Sequence, residues 1–248
     1  MLNEPTLEKL KTLRLDGMLN AWTDQQKSPE IGSLAFDERL GLLVDAEWTY
    51  RENKRIQRAL KEAKLRISEA CIEAIDFPAK RELDKALIRQ LQTCRWIQEH
   101  QAVLVTGATG TGKSYIACAL AHHACRRGFR AIYRRASRLF DELKIARADG
   151  TYRTVLARLA RVDVLVIDDF AVAPIDDHQR NDLLEVMEDR YGIRSTIVTS
   201  QLAPSHWHDY LVDPTLADAI CDRLLNSAHR LMLKGPSRRK DKTTTQEP

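Results

Sequence analysis

Apolar positions change their spacing along the chain, and the change divides it. Leu7, Leu10, Leu13 and Leu15 begin a short amphipathic helix, which Gly17 ends or bends. Ser28-Pro29-Glu30 reads as a turn. From Ser33 the apolar residues Leu34, Phe36, Leu40, Leu43, Val44 and Trp48 fall mostly three or four apart, as one face of a long helix requires. Ile56, Leu60, Ala63 and Ile67 continue that face. Residues 75–80, Ile-Asp-Phe-Pro-Ala-Lys, read as a linker, and 83–99 as a helix.

Beyond Glu99 short apolar runs alternate with helical stretches. Strands are predicted at 103–106, 130–133, 162–167, 196–200 and 230–233. Helices are predicted at 113–127, 137–148, 176–191 and 214–227. Alternation of this kind builds a parallel sheet with helices on both faces. The expected organisation is a small all-helical domain over 1–75, followed over 76–248 by an α/β domain. From Gly235 the tail is polar and basic, and its end is expected to be disordered.

Composition adds bounds. The 248 residues are 44% hydrophobic, enough for a real core, and hold no apolar run of transmembrane length. The N-terminal Met1-Leu2-Asn3-Glu4-Pro5 lacks the basic and apolar regions of a signal peptide, so a cytoplasmic protein with no membrane partner is expected. Cys71, Cys94, Cys118, Cys125 and Cys221 are odd in number and widely spaced, which favours reduced thiols over a zinc site or a disulfide frame. The net charge of +4 matters less than its distribution. Arg51, Arg55 and Arg58 share one helix face, with Lys54 and Lys61 alongside; locally only Glu52 and Glu62 balance them. Such a stripe can lie against DNA phosphates, and the alternative is a solvated, salt-bridged face.

The densest chemistry follows the first strand. Gly107, Ala108, Thr109, Gly110, Thr111, Gly112, Lys113 and Ser114 fit G-x-x-x-x-G-K-[ST], with a strand before and a helix after. The glycines let backbone N–H groups turn inward around phosphates, and the helix start aims its positive dipole end at them. Lys113 reaches the β- and γ-phosphates of ATP, Ser114 ligates Mg²⁺, and Tyr115 completes the nucleotide-binding set. Residues 163–169, Asp-Val-Leu-Val-Ile-Asp-Asp, form an apolar strand ending in two acids. Asp168 would hold Mg²⁺ through water, and Asp169 would orient or deprotonate the attacking water. The strand at 196–200 would lie between these two, with Ser200 as the chosen sensor and Thr199 and Gln201 as alternatives. Arg223, near the middle of a helix, either reaches a neighbouring subunit's γ-phosphate or pairs with Asp218 or Asp222.

Together these residues resemble the IstB-type ATPases, the transposition helpers of IS21-type insertion sequences and relatives of bacterial helicase loaders within the AAA+ class. The resemblance rests on the phosphate loop, on Val-Leu-Val-Ile-Asp-Asp-Phe, on Val-Thr-Ser-Gln followed by Trp207-His208, and on Leu216-Ala-Asp-Ala-Ile-Cys-Asp-Arg-Leu. It rests also on Leu233-Lys-Gly-Pro-Ser-Arg-Arg-Lys and on the N-terminal Leu40-Gly-Leu-Leu-Val-Asp-Ala-Glu-Trp-Thr-Tyr-Arg-Glu-Asn-Lys-Arg. It covers nearly the whole chain.

What the resemblance implies is an AAA+ ATPase with a five-stranded parallel sheet. ATP binding would drive self-assembly on duplex DNA, largely without sequence preference, and the assembly would recruit a separately encoded transposase. It implies that the N-terminal domain touches DNA and neighbouring subunits, and it sets Arg223 at the intersubunit arginine position. Arg239 matches the arginine of a terminal Ser-x-Arg of open role. Two departures bear on this. Most of the class has glutamate where Asp169 stands, so hydrolysis is expected to be slow, and little chain follows the last strand to form a helical lid. A helicase loader is the alternative within the fold. A small-molecule P-loop kinase fits less well, because no arginine-rich lid segment is apparent.

Overall fold

The computed structural model describes residues 3–78 and 81–237. Lys80 of the expected linker, Arg239 and the basic tail beyond Ser237 lie outside the described residues. The chain divides into two compact units, Met1–Arg58 and Ala59–Pro248. The division falls inside a helix, upstream of the stretch read as a linker.

The first unit is helical: α1 (Asn3–Thr12), α2 (Asp16–Lys27), a 3-10 turn (Pro29–Ser33) and the start of α3 (Phe36–Ala63). Gly17 neither ends nor bends a helix. It lies in the first turn of α2, where an added Cβ would stand 2.6 Å from the Tyr50 Cβ and 2.7 Å from the Ala46 carbonyl oxygen. Its missing side chain is what lets α2 approach α3. No side chain of its own segment caps α2; the buried Glu47 on α3 does so by accepting from the Met18 N–H at 3.0 Å. The apolar face read along α3 is only partly a core face. Leu43 is buried, whereas Phe36, Leu40, Val44 and Trp48 are exposed.

The second unit holds α4 (Lys85–Gln92), α5 (Arg95–Gln98), β1 (Val103–Gly107), α6 (Lys113–Arg126), β2 (Ala131–Arg135), α7 (Ala136–Ala148) and α8 (Tyr152–Arg161). It continues with β3 (Val164–Phe170), α9 (Asp177–Glu188), β4 (Ser195–Ser200), α10 (Trp207–Leu211), α11 (Pro214–Leu225) and β5 (His229–Leu233). The five strands are parallel in the order β2-β3-β4-β1-β5. Side chains alternate between two buried layers, as a sheet covered on both faces requires. Val103, Val105, Val164, Val166 and Ile197 join α6 and the segment before β1, while Leu104, Leu165, Ile167 and Val198 join α7 to α11.

Two stretches depart from the sequence reading. The helix expected over 83–99 is two, because Cys94 takes a left-handed backbone (φ 58°). The break turns Trp96 inward, where its indole donates to the Leu91 carbonyl at 3.0 Å. The helix α8 was not anticipated; Asp149 caps the turn before it through Thr151, and Leu159 anchors it in the core. Burial pushes the Cys118 and Cys125 thiols up to about 11, which keeps them protonated and inert.

Candidate nucleotide-binding site

Parallel order brings the C-terminal ends of β1, β3 and β4 to one edge of the sheet, and the loop from Gly107 to Ser114 leaves from it. Close packing and positive φ dictate the glycines. A Cβ on Gly107 (φ 147°) would meet the Leu233 carbonyl oxygen of β5 at 2.3 Å. Gly112, beside the Arg81 guanidinium, holds a left-handed backbone (φ 96°) that would strain any residue with a Cβ. Thr111 closes the loop by donating to the Ala108 carbonyl at 2.8 Å. Arg81, almost fully buried, donates to the Thr111 carbonyl at 3.2 Å and ties the loop to the Asp76 carbonyl and carboxylate.

Lys113 opens α6, and its ammonium donates to the Gly107 and Ala108 carbonyls at 2.8 and 2.9 Å. Ser114 donates to Asp168 Oδ1 at 2.9 Å. Asp168 is fully buried. Thr199 donates to the same oxygen, and Tyr133 and Arg66 meet its other oxygen. Burial and the bond to Asp168 push the Tyr133 phenol well above its ordinary range, so it stays a donor and Asp168 the acceptor.

Asp169 differs from its neighbour. Its backbone is left-handed (φ 57°), at a register irregularity between Ile167 and Phe170, and its N–H donates to Thr199 at 3.0 Å. A non-glycine residue held there is strained, and such strain gathers at functional sites. The turn brings the Asp169 carboxylate onto a cavity of about 490 Å³. Thr109, Gly110, Gly112, Lys113, Ser114 and Tyr115 line the same cavity, together with Arg66, Arg135 and Gln201.

The three sensor candidates separate. The hydroxyl of Ser200 is buried and committed, donating to the Phe170 carbonyl at 2.8 Å and accepting from the Leu202 N–H at 3.0 Å. Thr199 joins Asp168 to the Asp169 backbone, and Gln201 faces the cavity, accepting from Thr109 at 2.7 Å. Arg223 donates to Glu188 at 2.8 Å. It borders a separate cavity with Ala102 and Thr196, beside the N-terminal ends of β1 and β4, so it stands at the opposite end of the sheet from its own phosphate loop.

On α3, Arg51 pairs with Glu47, Arg55 with Glu52 and Lys54 with Asp16. Arg58 and Lys61 continue the helix. A second basic surface escaped the sequence reading. Lys64, Arg130, Arg134, Arg153, Arg158 and Arg161 line a groove of about 690 Å³ along the edge strand β2 and α8. Missing α8 hid it. Arg66, Tyr133 and Arg135 were missed for another reason: only pairing of β2 with β3, which sets Arg135 opposite Asp168, brings the two from β2 near the acids.

The residues present fit a nucleotide with Mg²⁺. Backbone turns with room for no side chain, a lysine at a helix start, and a hydroxyl and carboxylate as hard oxygen donors suit phosphates and that ion. Among the described residues no group of three His, Cys, Asp or Glu could hold a metal by itself, so phosphate oxygens and water would complete the coordination. None of the described helices is long and apolar enough to cross a membrane.

Fold and site together define a P-loop nucleotide-binding protein. A likeness in fold agrees: the DnaC helicase loader matches with a TM-score of 0.56 at 19% identity, over 66% of this chain and 97% of that one. The chain belongs to the IstB-like ATP-binding protein family, whose model matches residues 8–246. It is 44% identical to an insertion-sequence ATP-binding protein of Sinorhizobium fredii, over 97% of this chain and 98% of that one. With the ATP-binding protein of insertion sequence IS1162 from Pseudomonas fluorescens it shares 48% identity, over 83% of this chain and 89% of that protein.

Proposed function

We propose that this chain is a cytoplasmic ATPase that assembles on duplex DNA as a homo-oligomer and recruits and activates a transposase. The observation that carries the hydrolytic part is the convergence of Lys113, Ser114, Asp168 and Asp169 at one sheet edge. Lys113 would turn from the Gly107 and Ala108 carbonyls to the β- and γ-phosphates. Ser114 and Asp168 would hold Mg²⁺, which supplies charge neutralisation at the phosphates when bound. Asp169, strained and facing the cavity, would orient the attacking water and take its proton. Gln201 is the sensor the geometry favours, because Ser200 has no hydroxyl to spare.

The insertion-sequence context of the relatives supports a transposase as partner. Arg223 lies too far from its own phosphate loop to act there, which supports a role across a subunit boundary. Two basic surfaces support a polyanion as partner, and neither presents a module that would read base edges. The test is ATPase rate without DNA, with duplex and with single-stranded DNA, alongside sizing in ATP. Duplex-stimulated turnover with large ATP-dependent assemblies is expected. A monomer whose turnover ignores DNA would overturn the assembly reading.

A further inference from the structure

We propose that Arg66 is the γ-phosphate-sensing arginine of its own subunit, and that it exchanges between the two site carboxylates and the nucleotide. The inference rests on the reading of the cavity as an ATP site. Its Nη1 lies 3.5 Å from Asp168 Oδ2 and 3.4 Å from Asp169 Oδ2, so one guanidinium bridges both acids. It lines the same cavity as Lys113 and Ser114. Arg66 brings a charge to Asp168, whereas Ser114, Thr199 and Tyr133 are neutral donors. A cation on Asp168 would compete with Arg66 for the charge of that carboxylate and weaken the pair. A γ-phosphate carries more charge than a carboxylate and offers three oxygens to the fork of an arginine.

The chain is anchored on either side of Arg66, and the exchange needs only its side chain to move. Ala63 and Ala70 are fully buried on either side, and the Tyr115 hydroxyl donates to the Cys71 carbonyl at 3.3 Å, pinning the segment to α6. The Arg66 side chain itself is one-third exposed. Arg135 pairs with Asp169 at 3.6 Å from the β2 side, so Asp169 keeps a cationic partner when Arg66 leaves. Arg66 would thus distinguish a triphosphate from a diphosphate, which has no γ-group to draw it off the acids.

The experiment compares the full chain with Arg66→Ala, Arg66→Lys and Lys113→Ala. It measures equilibrium binding of fluorescent ATP and ADP with Mg²⁺, and turnover separately. Arg66→Ala is expected to weaken ATP about tenfold or more, the scale of a charge-assisted bond, and ADP less than about threefold. Turnover should fall on the order of 10³-fold, the low end for an arginine acting on a transferring phosphoryl group. Arg66→Lys keeps the charge without the fork and should recover part of the ATP preference. Equal losses for ATP and ADP, or none, would overturn the proposal. If the wild type binds but does not turn over, the hydrolytic reading fails while the ATP-to-ADP ratio still decides the role of Arg66. If Lys113→Ala weakens neither nucleotide, the site itself is misassigned and the Arg66 role falls with it.

Discussion

Two adjacent aspartates have opposite surroundings, and the difference supports the separate roles proposed for them. Asp168 is sealed beneath four donors, so it is a fixed acceptor suited to holding a cation. Asp169 sits on the cavity with a strained backbone and two arginines nearby. Asp169→Ala should therefore keep nucleotide binding and lose turnover on the order of 10²- to 10⁴-fold, the range of a general base. Unchanged single-turnover hydrolysis would reassign the water-orienting group. Tyr133→Phe removes one support of Asp168 without touching the cavity. It should raise the Mg²⁺ needed for half-maximal turnover about tenfold, as removal of an outer partner of a metal ligand does. The phosphate loop and both acids were legible in the sequence because chain neighbours define them. Tyr133, Arg135 and Arg66 were not, because each meets Asp168 or Asp169 only through strand pairing or a distant turn.

Among the elements, the pair α2 and α3 depends on one buried carboxylate. Burial alone would raise the pKa of Glu47, but the Met18 and Gly17 N–H groups and the Arg51 guanidinium hold it below its ordinary value. A carboxylate lowered on folding stabilises the fold above its unfolded pKa, and that contribution is lost as pH falls through the folded value. Glu47→Ala should cost about 1–3 kcal/mol, the range for stranding buried donors, in thermal melts followed by circular dichroism at neutral pH. The deficit relative to wild type should shrink as the pH falls below the ordinary carboxylate pKa and through the lowered folded pKa of Glu47, where the wild-type side chain becomes protonated. A deficit independent of pH would mean that Glu47 acts by packing alone. The helical period predicted α3 well, since apolar positions recur over its whole length. It misjudged which positions face the core, because Gly17 and Glu47 carry no apolar signal yet make close α2–α3 approaches.

For the whole molecule, the proposed DNA partner has two basic surfaces to meet, and their charge pairing ranks them. The stripe on α3 is largely offset by its own acids: Arg51, Lys54 and Arg55 each have a carboxylate partner. Around the groove beside β2, Arg134 and Arg158 share Glu142 and Arg130 approaches Asp163, while Arg153 and Arg161 have no acidic partner among the described residues. A cation already paired must give up that partner before it can release a counterion from DNA, so it contributes less to binding than a free one. Arg153→Glu with Arg161→Glu should thus reduce the salt dependence of duplex binding by about two in log–log slope, near one for each phosphate left without its cation. Lys54→Glu with Arg55→Glu should lower the slope by less. Both pairs lie outside the nucleotide cavity, so ATP affinity serves as the control for folding. The ordering of the two slopes, measured by fluorescence anisotropy across a salt series, decides the matter. A larger drop from the α3 pair would return DNA binding to the stripe that the sequence first suggested and leave the groove a solvated face.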